Sequence, residues 1–196
     1  MDKSTVEEIR ERFDKDVARF ANIDTGQTST IDAKISLEII TDAAKIMVPG
    51  AVNLLDIGCG AGNYTLMMLA KIANLNCTLV DLSRPMLNKA FERVSKQTKK
   101  IKLIQGDIRT VELNENYFDI ILAGAVLHHL RDDADWERTF KKLYNLLTDG
   151  GCLLVSDLIT QDNKLLAEYI WKKYADYLEN SGGQEYSKKV LDYVSR

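Results

Sequence analysis

Three glycines punctuate the run Leu54-Leu55-Asp56-Ile57-Gly58-Cys59-Gly60-Ala61-Gly62, directly after a short apolar segment. Glycine lets a chain turn sharply and come close to a ligand that any Cβ would hold away. A helix predicted to follow would aim its unpaired N–H groups at whatever fills the gap. Chemistry of that shape is nucleotide binding, and two acids further along narrow it. Asp81 ends the second apolar run, where a carboxylate can accept hydrogen bonds from both hydroxyls of a ribose and reject a 2′-phosphate by charge. Asp107, in Gly106-Asp107-Ile108, stands where a carboxylate can accept from an exocyclic adenine amine. His128 and His129 are the only 2 histidines of the chain and follow the fourth apolar run. They are the candidates to border an acceptor and take a proton from it.

Spacing separates these residues from the dinucleotide fingerprint, which wants a small residue three positions after the second glycine. That position holds Asn63, and the third glycine comes one residue early, at Gly62. Each feature also has a plain structural reading. The glycines could make only a tight strand-to-helix turn. Asp81 could cap the next helix, although Ser83 fills that place better, and Asp107 could be an ordinary loop acid. Cys59 reads as a small space-filler, since nothing nearby would activate its thiol. Both histidines could simply anchor their loop.

Hydrophobic periodicity supplies the elements that must hold these residues. Strands are predicted at 52–57, 77–81, 101–105, 118–123 and 152–158, with amphipathic helices between them. One helix opens with Ser83 as N-cap and Pro85 in its first turn and buries Leu87, Ala90, Phe91 and Val94. Another carries Trp136, Phe140, Leu143 and Leu147 and stops at Gly150-Gly151. Apolar strands alternating with helices imply a doubly wound, Rossmann-like parallel sheet. Before it, a helix over 4–20 has Ser4 and Glu7 spaced as a capping box, a polar loop spans 21–30, and a helix over 31–47 presents Ile35, Ile39, Ala43 and Ile46 on one face. After it come a helix over 162–179, a break at Ser181-Gly182-Gly183 and a last helical stretch. The chain thus divides into a helical lid over 1–50, an α/β core over 51–160 and terminal helices over 161–196.

Composition bounds the partners. The chain has 196 residues, 45% hydrophobic and 28% charged, with a formal net charge of −3. That suits a globular protein with a sizeable core and offers nucleic acid no strongly basic footprint. No apolar run approaches a membrane span, and the N-terminus lacks a signal peptide's apolar stretch. Cys59, Cys77 and Cys152 are far apart and sit in or beside apolar strands, which reads as reduced thiols in a cytoplasmic protein without a metal site.

The blocks LLDIGCGAG, LVDLS, GDIR and FDIILAGAVLHHL, followed by LTDGGCLLVSD, resemble in order and spacing the class I S-adenosylmethionine-dependent methyltransferases. The resemblance covers about residues 52–158 and implies a sheet of order 3-2-1-4-5, S-adenosylmethionine as cofactor and S-adenosylhomocysteine as product. It places Asp56, Gly58, Cys59, Gly60 and Gly62 at the methionine portion and Asp81 with Leu82 at the ribose. Asp107 with Ile108 frames the adenine, and Ala123 with Gly124 lies beneath the transferred methyl group. No Asn/Asp-Pro-Pro-aromatic or Pro-Cys motif for DNA bases is present, so a small-molecule acceptor is expected, with RNA not favoured. A Tyr-Ser start to the last helix looks loosely like enzymes that make the carboxylated cofactor for tRNA modification, and a non-catalytic nucleotide-binding module is the third reading. The family usually adds two further strands beside strand five, which this sequence does not show. A truncated chain or a homodimer covering that edge would account for it.

Overall fold

The computed structural model describes residues 4–22, 30–159 and 161–194. Most of the loop expected over 21–30 lies outside these residues. Thr5 caps the first helix, α1 (Val6–Lys15), and α2 (Val17–Ala21) and α3 (Ala33–Met47) follow it. Five strands then alternate with helices: β1 (Asn53–Ile57), α4 (Asn63–Lys71), β2 (Asn76–Asp81), α5 (Arg84–Val94), β3 (Ile101–Gln105) and β4 (Phe118–Gly124). A 3₁₀ turn (Leu127–His129), α6 (Asp133–Leu146), β5 (Leu147–Ser156) and α7 (Lys164–Val194) complete the chain. All strands are parallel, in the order β3-β2-β1-β4-β5 that the resemblance implies. One core packs Leu54, Met68, Leu79, Leu87 and Ile120 on one face of the sheet, and the other packs Leu55, Ile57, Val80, Ile121 and Leu143 on the opposite face. Among the described residues β5 pairs with β4 alone, and no helix is long and apolar enough to cross a membrane.

Several local expectations are corrected. The capping box belongs to Thr5 and Glu8, one residue later than Ser4 and Glu7, and the helix breaks at Asp16 into α1 and α2. On α3 the stripe Ile35, Ile39 and Ile46 is exposed, while Leu37, Thr41 and Ala44 face the sheet. Both stripes have helical spacing, and only packing against α4 and β5 selects between them. Phe91 lies half exposed at the rim of α5. Helix α6 stops at Leu146, ahead of the glycines, because Leu147 pairs with Phe118 and Thr148 donates to Asp119 Oδ1 at 2.9 Å. Gly150, at φ 80°, then sits in the irregular start of β5. The break in α7 is at Gly183, whose φ of 83° interrupts an otherwise continuous helix. Tyr174 is buried and the Tyr177 hydroxyl donates to Thr30 O at 3.2 Å, so these rings serve packing.

The turn after β1 rests on a buried acid. Asp56 is 1% exposed and accepts from Thr65 Oγ1 at 2.6 Å, tying β1 to the first turn of α4. Burial pushes its carboxyl up to about 7, with the Thr65 hydrogen bonds opposing the shift. An acid whose folded pKa lies above its unfolded value near 3.9 keeps its proton in the folded state where the unfolded chain has lost it. Stability from this group is therefore present below about pH 4 and falls as pH rises to about 7. Urea titrations should show the Asp56→Asn variant gaining on the wild type across that window, and parallel pH dependences would refute the assignment.

Gly58 has φ 60°, and a Cβ there would lie 2.4 Å from Val126 Cγ2 and 2.8 Å from Val126 Cβ. Gly58→Ala combines left-handed backbone strain with overpacking and should cost about 2–4 kcal/mol of unfolding free energy, measured by urea titration. A loss near zero would mean that the turn can relax.

Candidate cofactor site and active site

The C-terminal ends of β1, β2, β3 and β4 bring the expected residues to one edge of the sheet, the usual ligand position in such folds. Asp81 stands at its centre. Its Oδ2 accepts from Gly60 N and its Oδ1 from Ser83 N, both at 2.8 Å. The same acid thus clamps the glycine loop onto β2 and opens α5, whose Ser83 hydroxyl accepts from Met86 N. Burial draws the Asp81 carboxyl upward against these hydrogen bonds. Cys59 N donates to Val80 O at 3.1 Å, completing the seam, and burial drives its thiol well up, as expected of a space-filler.

Gly60 differs from Gly58 in one decisive way. Its φ is 49°, but a Cβ placed there meets no atom within 4 Å. A backbone in a strained turn, next to an acid and facing open space, is the cradle that a ribosyl cofactor with a bulky amino-acid tail requires. Gly62 is the N-cap of α4, and Asn63 behind it is engaged on both sides. Asn63 Nδ2 donates to Phe20 O at 3.1 Å, and its Oδ1 accepts from Arg93 Nη1 at 2.8 Å. The residue that breaks the dinucleotide pattern is therefore the one that fastens α2 to the glycine loop.

Asp107 follows β3 but does not face the site alone. Arg109 Nε donates to its Oδ1 at 3.0 Å and Nη2 to its Oδ2 at 2.6 Å, while Nη1 reaches Asp135 Oδ2 at 2.7 Å. Burial raises the Asp107 carboxyl, yet the Arg109 bonds prevail and hold it below the usual range. A donor arriving at Asp107 shares it with Arg109. Ile108 is buried beside it, and its carbonyl accepts from Lys142 Nζ at 2.8 Å. Leu82 is half-buried, and its carbonyl accepts from Gln105 Nε2 at 3.0 Å. Ala123 is buried in β4, and Gly124 leaves room for the Tyr64 ring, which would lie 2.3 Å from a Cβ.

The histidines part company. His128 Nδ1 lies 2.7 Å from Asp157 Oδ1, and its backbone N–H donates to Asp157 Oδ2 at 3.1 Å. Burial lifts the Asp157 carboxyl, but His128 overcomes it and keeps the acid low. His129 instead enters an aromatic cluster from both ends of the chain. The Tyr193 hydroxyl lies 3.4 Å from its Nδ1, and Phe13 packs edge-on with ring centres 6.1 Å apart. Arg12 covers the Tyr193 ring at 3.4 Å from its centre. Sequence reasoning missed Thr65, Arg109, Asp135, Asp157 and Arg12 as site residues. Arg109 and Asp157 lay in quoted blocks, and Asp157 meets His128 across 29 residues of sequence.

The sequence profile described as "Methyltransferase domain" matches residues 54–151, from β1 into β5. An uncharacterized methyltransferase of Mycobacterium tuberculosis strain H37Rv is 33% identical over 130 residues, 66% of this chain and 61% of that protein. The carboxy-S-adenosyl-L-methionine synthase of Campylobacter concisus is 29% identical over 159 residues, 81% of this chain and 63% of that one. The chain thus spans less than two thirds of the length of the first curated relatives it matches. Among solved structures, the N-methyltransferase NodS of Bradyrhizobium japonicum WM9, in complex with S-adenosylhomocysteine, superimposes with a TM-score of 0.58 at 23% identity. That alignment covers 74% of this chain and 71% of NodS. With the glycine turn, the clamp at Asp81 and the strand order 3-2-1-4-5 in agreement, the chain belongs to the class I S-adenosylmethionine-dependent methyltransferases.

Proposed function

We propose that this chain transfers the methyl group of S-adenosylmethionine directly to a small-molecule acceptor. The reading is carried by the open, strained Gly60 turn held by Asp81, which suits a ribosyl cofactor. On this reading residues 51–160 form the cofactor core, while 1–50 and 161–196 border the acceptor. Asp81 receives the ribose hydroxyls, Asp107 and Ile108 flank the adenine, and Gly58, Gly60 and Gly62 pass along the methionine portion.

The sulfonium of the bound cofactor supplies an activated methyl group, so the protein's task is to align a nucleophile behind it. Orientation of that kind supplies up to roughly 7–11 kcal/mol of barrier reduction. His128, fixed by Asp157, is the group placed to take a proton from an acceptor that carries one. Assigning the Nδ1 proton to the Asp157 bond leaves Nε2 as the acceptor. Phe13, His129 and Tyr193 give an organic acceptor an aromatic wall.

A second reading rests on the 29% identity with the Campylobacter synthase: the chain would form the carboxylated cofactor and retain it as product. Mass spectrometry of ligand retained on the purified protein distinguishes a methyl from a carboxymethyl donor.

Calorimetry should give micromolar binding of S-adenosylhomocysteine and none of NAD; the reverse order would sink the methyltransferase reading. In the same titration Gly60→Ala should lose tenfold or more, since overpacking costs about 1–3 kcal/mol. Its thermal midpoint should fall less than that of Gly58→Ala. Once an acceptor turns over, His128→Gln should lower kcat by roughly a hundredfold with cofactor affinity intact. An unchanged rate and pH profile would remove His128 from proton transfer.

A further inference from the structure

Parallel strands are apolar throughout, and a parallel sheet is normally covered by helices on both faces. In this chain the cover is incomplete. Helices α4 and α5 pack on the face of Leu54 and Leu79, and α6 brings Leu143 and Leu146 to the opposite face beside β4 and β5. The connection from β3 to β4, residues 106–117, forms no helix, so that second face has no helix over the first half of β2 and β3. The end of this connection instead walls a cavity of about 240 Å³.

Strand alternation sets what faces the cavity. Val80 belongs to the core of the second face, so Thr78 points the same way, and Lys102 is the register partner of Thr78. Lys100 shares that face, and the ladder reaches it, because Cys77 N donates to Lys100 O at 2.8 Å. These three residues line the cavity with Leu113, Tyr117 and Phe118. Thr78 is only 7% exposed, and its hydroxyl has no hydrogen-bond partner among the described residues. A buried hydroxyl in that state is costly. The Lys100 and Lys102 ammonium groups also lack a carboxylate partner among the described residues, and two such cations side by side attract an anion. Tyr117 stands edge-on to Phe118 with ring centres 5.1 Å apart and completes an apolar wall. The space far exceeds one water's share of roughly 30 Å³ and falls just below drug-sized pockets, roughly 300–1,000 Å³.

We propose that this cavity is a second ligand site, which takes a small aromatic carboxylate. The ring lies against Leu113, Tyr117 and Phe118, the carboxylate meets Lys100 and Lys102, and the Thr78 hydroxyl donates to it from the floor. A donor at the floor of a concave space selects a free acid over the broad surface of a protein partner. The site lies at the starts of β2 and β3, while Asp81 and Asp107 stand at the far end of those strands, so it is separate from the cofactor edge.

Amide chemical shifts of the labelled protein, titrated with benzoate, benzamide and inorganic phosphate, test this. Benzoate should move Thr78, Lys102 and Tyr117 saturably, in the millimolar range of so small a ligand, and saturating S-adenosylhomocysteine should not displace it. Benzamide keeps the shape without the charge, and phosphate keeps charge without the ring. Each should bind about fivefold more weakly or worse. Thr78→Val should weaken benzoate about fivefold without lowering the unliganded thermal midpoint, and Lys102→Met should weaken it by a similar factor. Shifts scattered over the surface, or displacement by S-adenosylhomocysteine, would overturn the proposal. Equal binding of phosphate would reduce the site to an attraction between surface lysines and any anion, and equal binding of benzamide would remove the anion from it. Undiminished benzoate affinity in both variants, or a lower midpoint for Thr78→Val, would make these residues part of the scaffold alone and overturn the proposal as well.

Discussion

A single carboxylate, Asp81, couples the parts on which the site depends. By accepting from Gly60 N and Ser83 N it sets the path of the glycine turn, the end of β2 and the start of α5 together. A turn of positive-φ glycines has little intrinsic preference for one path, since glycine loses more backbone freedom on folding than any other residue. The clamp replaces that missing preference with two charge-assisted hydrogen bonds, stronger than neutral ones. Because the acid is half-buried, it carries a burial penalty that these donors offset and that further donors from a ligand would offset more fully.

Three other acids are each held in place by a partner side chain. Asp56 is capped by Thr65 and keeps the β1–α4 turn rigid without contributing a solvent-facing charge. Asp107 is gripped by Arg109, which also holds Asp135 at the first turn of α6. Asp157 does the same for His128. The edge of the sheet therefore carries carboxylates whose geometry is set by hydrogen-bonded partners, local for Asp107 and distant for Asp157. Such preorganisation suits a reaction whose catalytic demand is alignment.

The ends of the chain meet at this edge. Phe13 from α1 and Tyr193 from α7 both contact His129, and Asn63 ties α2 to the glycine loop. An enzyme of this type has to admit a cofactor and an acceptor and then exclude water. Helices attached through a few polar contacts and one aromatic cluster can cover the site without belonging to the sheet's core.

Local chemistry in the sequence determined a great deal. Alternating apolar runs specified five parallel strands in a doubly wound sheet, because handed crossovers leave few alternatives, while their order came from the family resemblance. Glycines 58, 60 and 62 with Asp81 and Asp107 marked the cofactor edge, because a close backbone approach and paired acceptors need those residue types at strand ends. What tertiary structure alone decided was which of two equivalent faces is buried and which distant group meets which. The stripe Ile35, Ile39, Ile46 on α3 has the same period as Leu37, Thr41, Ala44, so periodicity could not choose between them. Arg109 on Asp135 and Asp157 on His128 depend on how separate elements pack, and no spacing along the chain encodes those contacts.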